Sequence, residues 1–385
     1  MAAFLVSGCS PEQSGSVVSY ETKRPISNAK ILHAGKIIRT DARGEFALGK
    51  FDKTQPVLIK AAGFRPKQCA VPEEKRPRLE LEPLETRGLY LSYAALGQPE
   101  TRSQALGLLD GERLNTLAID IKDRQGRMTF YNGAPCAGQV GAFGAVKFDD
   151  IQAFLKEMHR KHIYVVGRIA VFKDPLLAKH NPEWAVRAGG RPNSFWLDPY
   201  RKEVWTYNLS VVKEAASMGF DEIELDCVWF PGEGELRDAK YSRHDSPGNR
   251  TGAIARFLSE ASQTLAPYNV CLSLSPSMVP RWEGGRSGRG LGPLAQSTDY
   301  LGASMRNLGD LARVKTATAA EARQWRAYIE CAANSPKEPF PTLDEIKAMV
   351  TACRAAGLGG WILSDARGQY NLTKEFIRDL TPDDR

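Results

Sequence analysis

From residue 87 onward, short apolar stretches typical of β-strands alternate with amphipathic stretches typical of α-helices. Eight strands are predicted, at residues 88–92, 116–121, 163–171, 221–228, 270–274, 299–305, 326–331 and 360–364. The helical pattern between them is clearest at residues 103–109, 149–159, 203–216, 250–265 and 342–356. Because parallel strands are joined by crossover helices, this alternation predicts an α/β protein with a (β/α)₈ TIM barrel.

The first part of the chain has a different pattern, with short strands separated by turn residues. The segments that resemble strands are residues 16–19, 29–32, 36–39, 45–48, 57–60 and 79–81. Short strands at regular spacing predict a small β-sandwich. A length of 385 residues accommodates one large and one small domain. We therefore predict a β-sandwich over residues 14–85 and a barrel over residues 86–385.

Composition and charge are those of an ordinary globular protein, with 42% apolar and 25% charged residues. The formal net charge is +7 at pH 7. Lys and Arg are scattered, and no helix-turn-helix or RNA-binding motif accompanies them, so a nucleic acid partner is not expected. The excess charge could favour anionic glycans or lipid headgroups, but a solvated basic surface is the simpler and preferred interpretation.

Residues 1–13 suggest the remnant of an export signal and a short tether. Leu5-Val-Ser-Gly-Cys9 resembles the lipobox of bacterial lipoproteins, in which the cysteine is lipidated and becomes the new N-terminus. The resemblance implies a lipid anchor on Cys9 and an outer-membrane lipoprotein that faces the periplasm or the cell surface. The segment has no basic n-region, so an accidental match is the alternative. The other six cysteines have no metal-ligand spacing.

Three acidic residues on the predicted fourth barrel strand are the main indication of function. Glu222, Glu224 and Asp226 are spaced two apart, so they share one face of that strand. Burying carboxylates inside a barrel is costly and usually accompanies a ligand, a metal or acid/base chemistry. Asp226 is the closest of the three to the C-terminal end of the strand, which is where such barrels carry their active sites.

Other strand ends carry charged and aromatic residues that fit the same site. The candidates are Asp120 and Lys122 on strand 2, Arg168 and Lys173 on strand 3 or just after it, Trp196, Asp198 and Tyr200 in the following loop, Glu224 and Trp229 on strand 4 or just after it, Glu330 on strand 7 and Asp365 on strand 8. Asp120 and Lys122 are two residues apart and are expected to share a face. The alternative without function is a layer of salt bridges inside the barrel, with Asp198 only capping a helix.

Carboxylates, cations and aromatic rings around one barrel mouth suit a carbohydrate site. Glycoside hydrolysis uses two carboxyl groups, one protonated and one ionised, that flank the bond to be cut. Arg168 beside Asp226 would keep that carboxyl ionised, as a nucleophile or cation stabiliser requires. Glu330 or Asp365 would then supply the second acid. No dinucleotide fingerprint follows strand 1 and no calcium-loop spacing occurs, so neither a cofactor nor a metal is expected.

Two family resemblances extend this interpretation. The pattern Thr40-Asp-x-x-Gly-x-Phe-x-Leu, followed by Ala61-x-Gly-Phe, is similar to the carboxypeptidase-regulatory-like domain, whose members are usually spacers or adhesion modules. The blocks at residues 118–127, 168–178, 196–205 and 219–226 resemble the bacterial putative glycosyl hydrolase domain family, which has a (β/α)₈ barrel. The second resemblance implies Asp226 as the strand 4 carboxylate and Asp120, Lys122, Arg168, Lys173 and Asp198 as pocket residues.

The chain departs from the second family pattern at strand 5, where members tend to carry an Asp and this chain has Ser273-Leu-Ser-Pro-Ser-Met278. The departure leaves the second acid open. The sequence therefore predicts an exported glycoside hydrolase acting on a bacterial polysaccharide, either an exopolysaccharide or a cell-wall glycan. The alternatives are a catalytically inactive glycan-binding lipoprotein of the outer membrane and a purely structural scaffold.

Overall fold

The structure of the protein is a computed structural model, and it describes residues 13–49, 54–70, 73–74, 76–231, 238–276, 296–314, 319–331, 341–365 and 371–380. The chain divides into two compact units, residues 1–85 and 86–385. Within the described ranges, every helix is too short or too polar to cross a lipid bilayer.

The first unit contains two small β-sheets that share one hydrophobic core. Its strands are β1 (Gln13–Ser19), β2 (Lys30–His33), β3 (Lys36–Arg39), β4 (Glu45–Gly49), β5 (Val57–Lys60), β6 (Lys67–Cys69) and β7 (Arg78–Leu81). One sheet has the order β4-β1-β7 and the other β3-β2-β5-β6. Val17 and Phe46 from the first sheet pack in one cluster with Ile31 and Ile59 from the second. The predicted carboxypeptidase-regulatory-like family of this unit stays a prediction.

The second unit is a closed barrel of eight parallel strands, as the sequence predicts. The barrel strands are β8 (Thr86–Leu91), β9 (Thr116–Lys122), β10 (Tyr164–Ala170), β13 (Glu222–Asp226), β14 (Cys271–Leu274), β15 (Tyr300–Met305), β16 (Trp325–Glu330) and β17 (Gly360–Ser364). They follow one another around the barrel in chain order, and β17 closes against β8. A hairpin of β11 (Ala185–Ala188) and β12 (Arg191–Leu197) lies outside the barrel sheet.

Helices connect the strands of the barrel. They are α1 (Tyr93–Leu96), α2 (Pro99–Leu106), α3 (Ile151–Arg160), α4 (Pro175–His180), α5 (Lys202–Met218), α6 (Pro247–Leu265), α7 (Ala319–Gln324), α8 (Leu343–Ala355) and α9 (Asn371–Asp379). Side chains cap some of the helix starts: the Asp150 carboxylate accepts from Ala153 N at the start of α3, and Thr342 and Glu345 form a capping box on α8. Gly219 ends α5 with a φ of +109°, a value that favours glycine.

The barrel strands are buried on both faces, as parallel strands covered by helices must be. One irregularity affects the site. In the pairing of β9 with β10, Arg168 is opposite Asp120 but the next residue, Ile169, is opposite Lys122. This bulge inserts one extra residue into β9, so the regular alternation of side chains ends after Asp120.

Candidate active site

The C-terminal ends of the eight barrel strands surround a cavity of about 590 Å³. Each strand, or the segment directly after it, contributes to the wall. The wall residues on or after the strands are Tyr90, Asp120, Lys122, Arg168, Ala170, Asp226, Pro276, Ser304, Arg306, Tyr328, Glu330 and Ser364, and the segments after β8 and β9 add Ser92, Tyr93, Ala94, Asp123, Arg124, Gln125 and Arg127. Ligand pockets are typically roughly 300–1,000 Å³. The cavity therefore has the size and position of a barrel active site.

Asp226 lies in the wall of this cavity, with both carboxylate oxygens hydrogen-bonded. Its Oδ2 accepts from Arg124 Nε at 2.7 Å and from Arg168 Nη2 at 2.9 Å. Its Oδ1 accepts from Ser275 Oγ at 2.6 Å and from the Cys227 backbone N–H at 2.8 Å. The side chain is only 2% exposed. The fourth strand thus presents a fixed carboxylate to the cavity.

The charges around Asp226 decide its protonation state. Burial alone would raise its pKa, but the guanidinium groups of Arg168 and Arg124 and the hydrogen bonds hold the pKa well below its usual range. Asp226 is therefore ionised at neutral pH. An ionised carboxylate at this place has the state that a glycosidase nucleophile or cation stabiliser needs.

Glu330, at the end of β16, lines the same cavity, and its pKa is shifted in the opposite direction to that of Asp226. Burial raises its pKa, although Ser304 Oγ donates to its Oε1 at 3.2 Å and the charge of Arg306 opposes the shift. A carboxyl group with a raised pKa holds its proton to a higher pH, as a general acid must. Asp226 and Glu330 thus form a pair of carboxyl groups whose surroundings move their pKa values apart.

Asp120 is a second buried acid in the wall. Its oxygens accept from Tyr90 OH at 2.9 Å and from the Tyr93 backbone N–H at 2.8 Å. Burial raises its pKa to about 6, against the opposing charge of Arg168. Asp120 was predicted as a binding residue, and its raised pKa also makes it an alternative proton donor.

Glu224 lies one layer deeper in the barrel than Asp226 and is not part of the cavity wall. Tyr328 OH donates to its Oε2, and Arg168 Nε is 3.4 Å from its Oε1. Burial raises the pKa of Glu224 to about 7, with Arg168 and the Tyr328 hydrogen bond opposing the shift. Glu224 therefore contacts two residues of the cavity wall, Arg168 and Tyr328, rather than the cavity itself.

The deepest acidic residue of the fourth strand, Glu222, is part of an ion pair. Arg326 Nη1 lies 2.6 Å from its Oε2, and Tyr164 OH donates to the same oxygen at 3.0 Å. The Arg326 guanidinium also stacks over the Tyr300 ring, 3.4 Å from its centroid. This layer is the salt-bridged barrel interior that the sequence allowed as an alternative. The three acids of one strand thus have three different surroundings.

Lys122 does not act beside Asp120. The expectation that the two side chains share a face is wrong, because the bulge in β9 turns the chain between them. The Lys122 ammonium donates to Asp174 Oδ2 at 3.0 Å and to Asn208 Oδ1 at 2.7 Å, and it is fully buried. Lys122 borders the cavity, but its charge is paired with the N-cap of α4 and the side of α5.

The aromatic residues predicted at the rim pack in the hydrophobic core instead of lining the cavity. Trp196 and Trp229 pack with ring centroids 5.9 Å apart, and Lys173 lies over the Trp196 ring. Tyr200 packs on Phe230 at 4.7 Å. Among the described residues, the aromatic side chains that border the cavity are those of Tyr90, Tyr93 and Tyr328.

Two further acidic candidates also lie outside the cavity wall. The Asp198 carboxylate accepts from the backbone N–H groups of Tyr200 and Ser242, as a turn residue does. Asp365 is buried at the end of the eighth strand, and its neighbour Ser364 is the wall residue there. Cys9, the candidate for lipidation, lies outside the described residues.

Sequence reasoning missed several residues that hold the site together. Arg124 follows β9, Arg306 follows β15, and Ser275 and Tyr328 bind the acids of the fourth strand. A signal existed for Tyr328, because it is two residues from Glu330 and therefore faces the same side of the strand. No cluster of three or more His, Cys, Asp or Glu side chains in the described part of the chain is arranged to hold a metal ion.

The sequence matches the family model described as putative glycosyl hydrolase domain over residues 88–305, which is more than half of the chain. A comparison with curated proteins finds no significant match. One solved structure with 30% identity is a hypothetical protein from Ruminiclostridium thermocellum. It covers 49% of this chain and 97% of its own, with a TM-score of 0.42.

Two other solved structures are similar in fold. The PgaB (BpsB) glycoside hydrolase domain from Bordetella bronchiseptica is 12% identical with a TM-score of 0.54, and the match covers 77% of this chain and 98% of that one. Alpha-L-fucosidase isoenzyme 2 from Paenibacillus thiaminolyticus is 14% identical with a TM-score of 0.52. That match covers 76% of this chain and only 48% of the fucosidase. At these identities the likeness shows the fold alone.

Proposed function

Since the chain belongs to the putative glycosyl hydrolase domain family, we propose that it hydrolyses glycosidic bonds of a bacterial polysaccharide, an exopolysaccharide or a cell-wall glycan. Asp226 is the nucleophile or cation stabiliser and Glu330 the general acid. The observation that carries this proposal is that both carboxyl groups line one cavity while their pKa values move in opposite directions. That separation is what a two-carboxylate mechanism requires.

The roles follow from the contacts of each group. Glu330, protonated, donates its proton to the departing glycosidic oxygen. Asp226, ionised, stabilises the positive charge that develops on the sugar ring or bonds to the sugar carbon as the bond to the departing oxygen breaks. Water then adds to that carbon and gives a proton to the Glu330 carboxylate, which restores both groups. Arg168 and Arg124 keep Asp226 ionised and fixed. Asp120 and the tyrosines of the wall contact the sugar hydroxyls.

The experiment is to incubate the purified protein with a panel of bacterial exopolysaccharides and peptidoglycan and to measure the release of reducing ends. D226N should lower the rate roughly 10³-fold or more, and E330Q by about 10²–10⁴-fold. The matched control is D149N, an exposed Asp outside the cavity, which should keep the wild-type rate. Equal release by D226N and the wild-type protein would remove Asp226 from the mechanism.

One observation favours a second function, a glycan-binding protein that does not cut its ligand. The oxygens of Asp226 already accept at least four hydrogen bonds, which is about the number that a carboxylate can accept. A carboxylate with all its lone pairs engaged is a weak nucleophile unless Arg124, whose side chain is 47% exposed, moves away. Retention on a glycan column without release of reducing ends would support this second function.

We also propose that the protein is exported and anchored to the outer membrane through a lipid on Cys9. The support is the lipobox-like Leu5-Val-Ser-Gly-Cys9. The test is expression of the natural gene in a Gram-negative host, followed by membrane fractionation and mass spectrometry of the N-terminal peptide. The expected result is a diacylglyceryl cysteine that is lost in C9S, and a wild-type protein without a lipid would contradict the proposal.

A further inference from the structure

The cavity wall is rich in cationic side chains. Five of its residues are cationic and four are acidic: Lys122, Arg124, Arg127, Arg168 and Arg306 against Asp120, Asp123, Asp226 and Glu330. Most of the cations are engaged. Arg127 pairs with Asp123, Arg124 and Arg168 pair with Asp226, and Lys122 pairs with Asp174 outside the wall. The remaining cation is Arg306.

Arg306 is placed beside the proposed general acid. It follows Met305, which is paired with Ile329, so continuing the register brings Arg306 level with Glu330 on the neighbouring strand. Its backbone N–H donates to Asp310 Oδ2 at 2.8 Å, which fixes the backbone where the strand ends. The side chain is exposed at the cavity, and among the described residues no carboxylate oxygen lies within 4.0 Å of its guanidinium.

An unpaired guanidinium in a binding cavity selects for the charge of the ligand. A bound glycan would remove water from Arg306, and that desolvation is costly unless the ligand supplies a partner for the charge. A carboxylate, sulfate or phosphate matches the guanidinium with two parallel hydrogen bonds. A neutral sugar would satisfy it only partly, and an amino sugar would be repelled. The net charge of +7 would also attract an anionic polymer toward the protein.

We infer that the substrate is an acidic glycan and that Arg306 binds an anionic group of the sugar next to the bond that is cut. The inference rests on the proposed function for the position of that bond, but the binding of the anion does not depend on catalysis. Arg306 is then a residue that determines specificity, and Glu330 works beside an anion that the arginine neutralises.

The experiment measures equilibrium binding to E330Q protein, so that turnover is slowed while Arg124 and Arg168 stay paired with Asp226. The probes are oligogalacturonate and its carboxyl-reduced neutral form, and sulfated and unsulfated maltooligosaccharides. In at least one pair, the acidic member should bind about tenfold to a hundredfold more tightly, as one charge-assisted contact allows. The two pairs separate recognition of a carboxylate from recognition of a sulfate ester. The preference should weaken as the salt concentration rises.

Three further variants in the E330Q background make the test specific to Arg306. R306Q should remove the preference for the acidic probe, and R306K should keep part of it because the charge remains without the planar fork. The matched control is R160Q, which removes an exposed arginine from α3, outside the cavity wall, and should change nothing. Equal binding of acidic and neutral probes, or a preference that survives in R306Q, would overturn the inference.

The two proposals fail in different ways. A preference for acidic probes that depends on Arg306, without release of reducing ends from any glycan, would leave the inference standing and remove the hydrolase function. Hydrolysis of a neutral glycan at the same kcat/KM by the wild-type protein and R306Q would leave the hydrolase function standing and remove the inference.

Discussion

Arg168 Nη2 donates to Asp226 Oδ2 at 2.9 Å, although the strand register places Arg168 opposite Glu224 and Ala170 opposite Asp226. The arginine therefore reaches diagonally toward the mouth of the barrel. Its Nε stays 3.4 Å from Glu224 Oε1. One guanidinium thus links an ionised carboxylate in the cavity wall with a deeper carboxyl group whose pKa burial raises to about 7. Any change at this residue affects both acids.

R168M should therefore damage the site and the barrel together. Without the cation, Asp226 loses the main charge that lowers its pKa, and the buried carboxyl groups of Asp226 and Glu224 each lose one of their partners. We expect a fall in kcat/KM of at least about 10²-fold and a loss of roughly 3–5 kcal/mol in the free energy of unfolding. R168K keeps the positive charge but lacks the planar guanidinium that donates two parallel hydrogen bonds. Its kcat/KM and its stability should therefore lie between those of R168M and the wild-type protein. Wild-type stability in R168M would contradict this account of the ion pairs.

We expect kcat/KM to fall at higher pH because Glu330 loses its proton there; this fall is the descending limb of the pH profile. The pKa of Asp226 is held well below its usual 3.8, so that group stays ionised throughout the mildly acidic range. Glu330 must be protonated, and burial moves its pKa above 4.5, so activity should fall as pH rises through that raised value. The measurement is a pH series of initial rates on a glycan that the protein cleaves.

Two variants show which carboxyl group causes the fall in kcat/KM at higher pH. E330Q carries no titratable proton at this position, so its residual activity should no longer fall over the same pH range. D120N is the necessary comparison, because Asp120 lines the same cavity and its pKa, raised to about 6, would also produce a descending limb. If the limb persists in E330Q and disappears in D120N, Asp120 is the proton donor.

The barrel and the strand 4 carboxylate could be predicted because both depend on local patterns. Apolar strands alternate with amphipathic helices along the chain, and the spacing of Glu222, Glu224 and Asp226 places them on one face. The alternation of side chains along a strand does not, however, show how far each acid lies below the mouth of the barrel. In the structure, Glu222 is part of a buried ion pair, Glu224 lies in the layer beneath the cavity and Asp226 is part of the cavity wall.

The rest of the site depends on features that a single sequence does not display. The position of Lys122 depends on a bulge set by the pairing of β9 with β10, which the sequence of β9 alone does not specify. Trp196 was expected at the rim because its loop follows the third strand. Part of that loop folds into a hairpin, and Trp196 packs against Trp229 in the core. Arg124 is a loop residue whose partner, Asp226, lies on another strand, so only the closed barrel shows this contact. Arg306 follows β15, and only the closed barrel shows that it lines the cavity.

Gly126 should be needed for the position of Arg124. Its φ is +83°, and a Cβ at this position would lie 2.2 Å from Asp174 Oδ1. Asp174 cannot easily give way because its other oxygen binds the buried Lys122. We expect G126A to cost roughly 1–3 kcal/mol of stability and to lower kcat/KM about tenfold or more, because a small displacement of the turn moves Arg124 away from Asp226.

The matched control for this glycine is G138A, whose added Cβ would meet nothing within 4 Å and whose φ is not in the left-handed region. Kinetics and denaturant unfolding are measured on both variants. If G126A and G138A behave alike, the turn does not position Arg124, and the contact between Arg124 and Asp226 has another origin.

The ion pair between Glu222 and Arg326 should contribute to stability and not to catalysis. Both side chains are buried near the N-terminal ends of their strands, away from the cavity. R326M leaves the Glu222 carboxylate buried without its cation, and E222Q leaves the arginine without its anion, so each should lose roughly 3–5 kcal/mol. The double variant should lose less than the sum of the two, because no uncompensated charge remains. R323M, at an exposed arginine nearby in sequence, should stay within about 0.5 kcal/mol of the wild-type protein.

Tryptophan fluorescence during urea unfolding measures these changes in the barrel unit alone, because all seven tryptophans follow residue 86. The folded fraction of each variant should keep the wild-type rate of reducing-end release, since Glu222 and Arg326 do not border the cavity. A variant as stable as the wild-type protein but slower would place this ion pair in the mechanism. Its charge would then act through Glu224, the acid that lies between the pair and Asp226 on the same strand face.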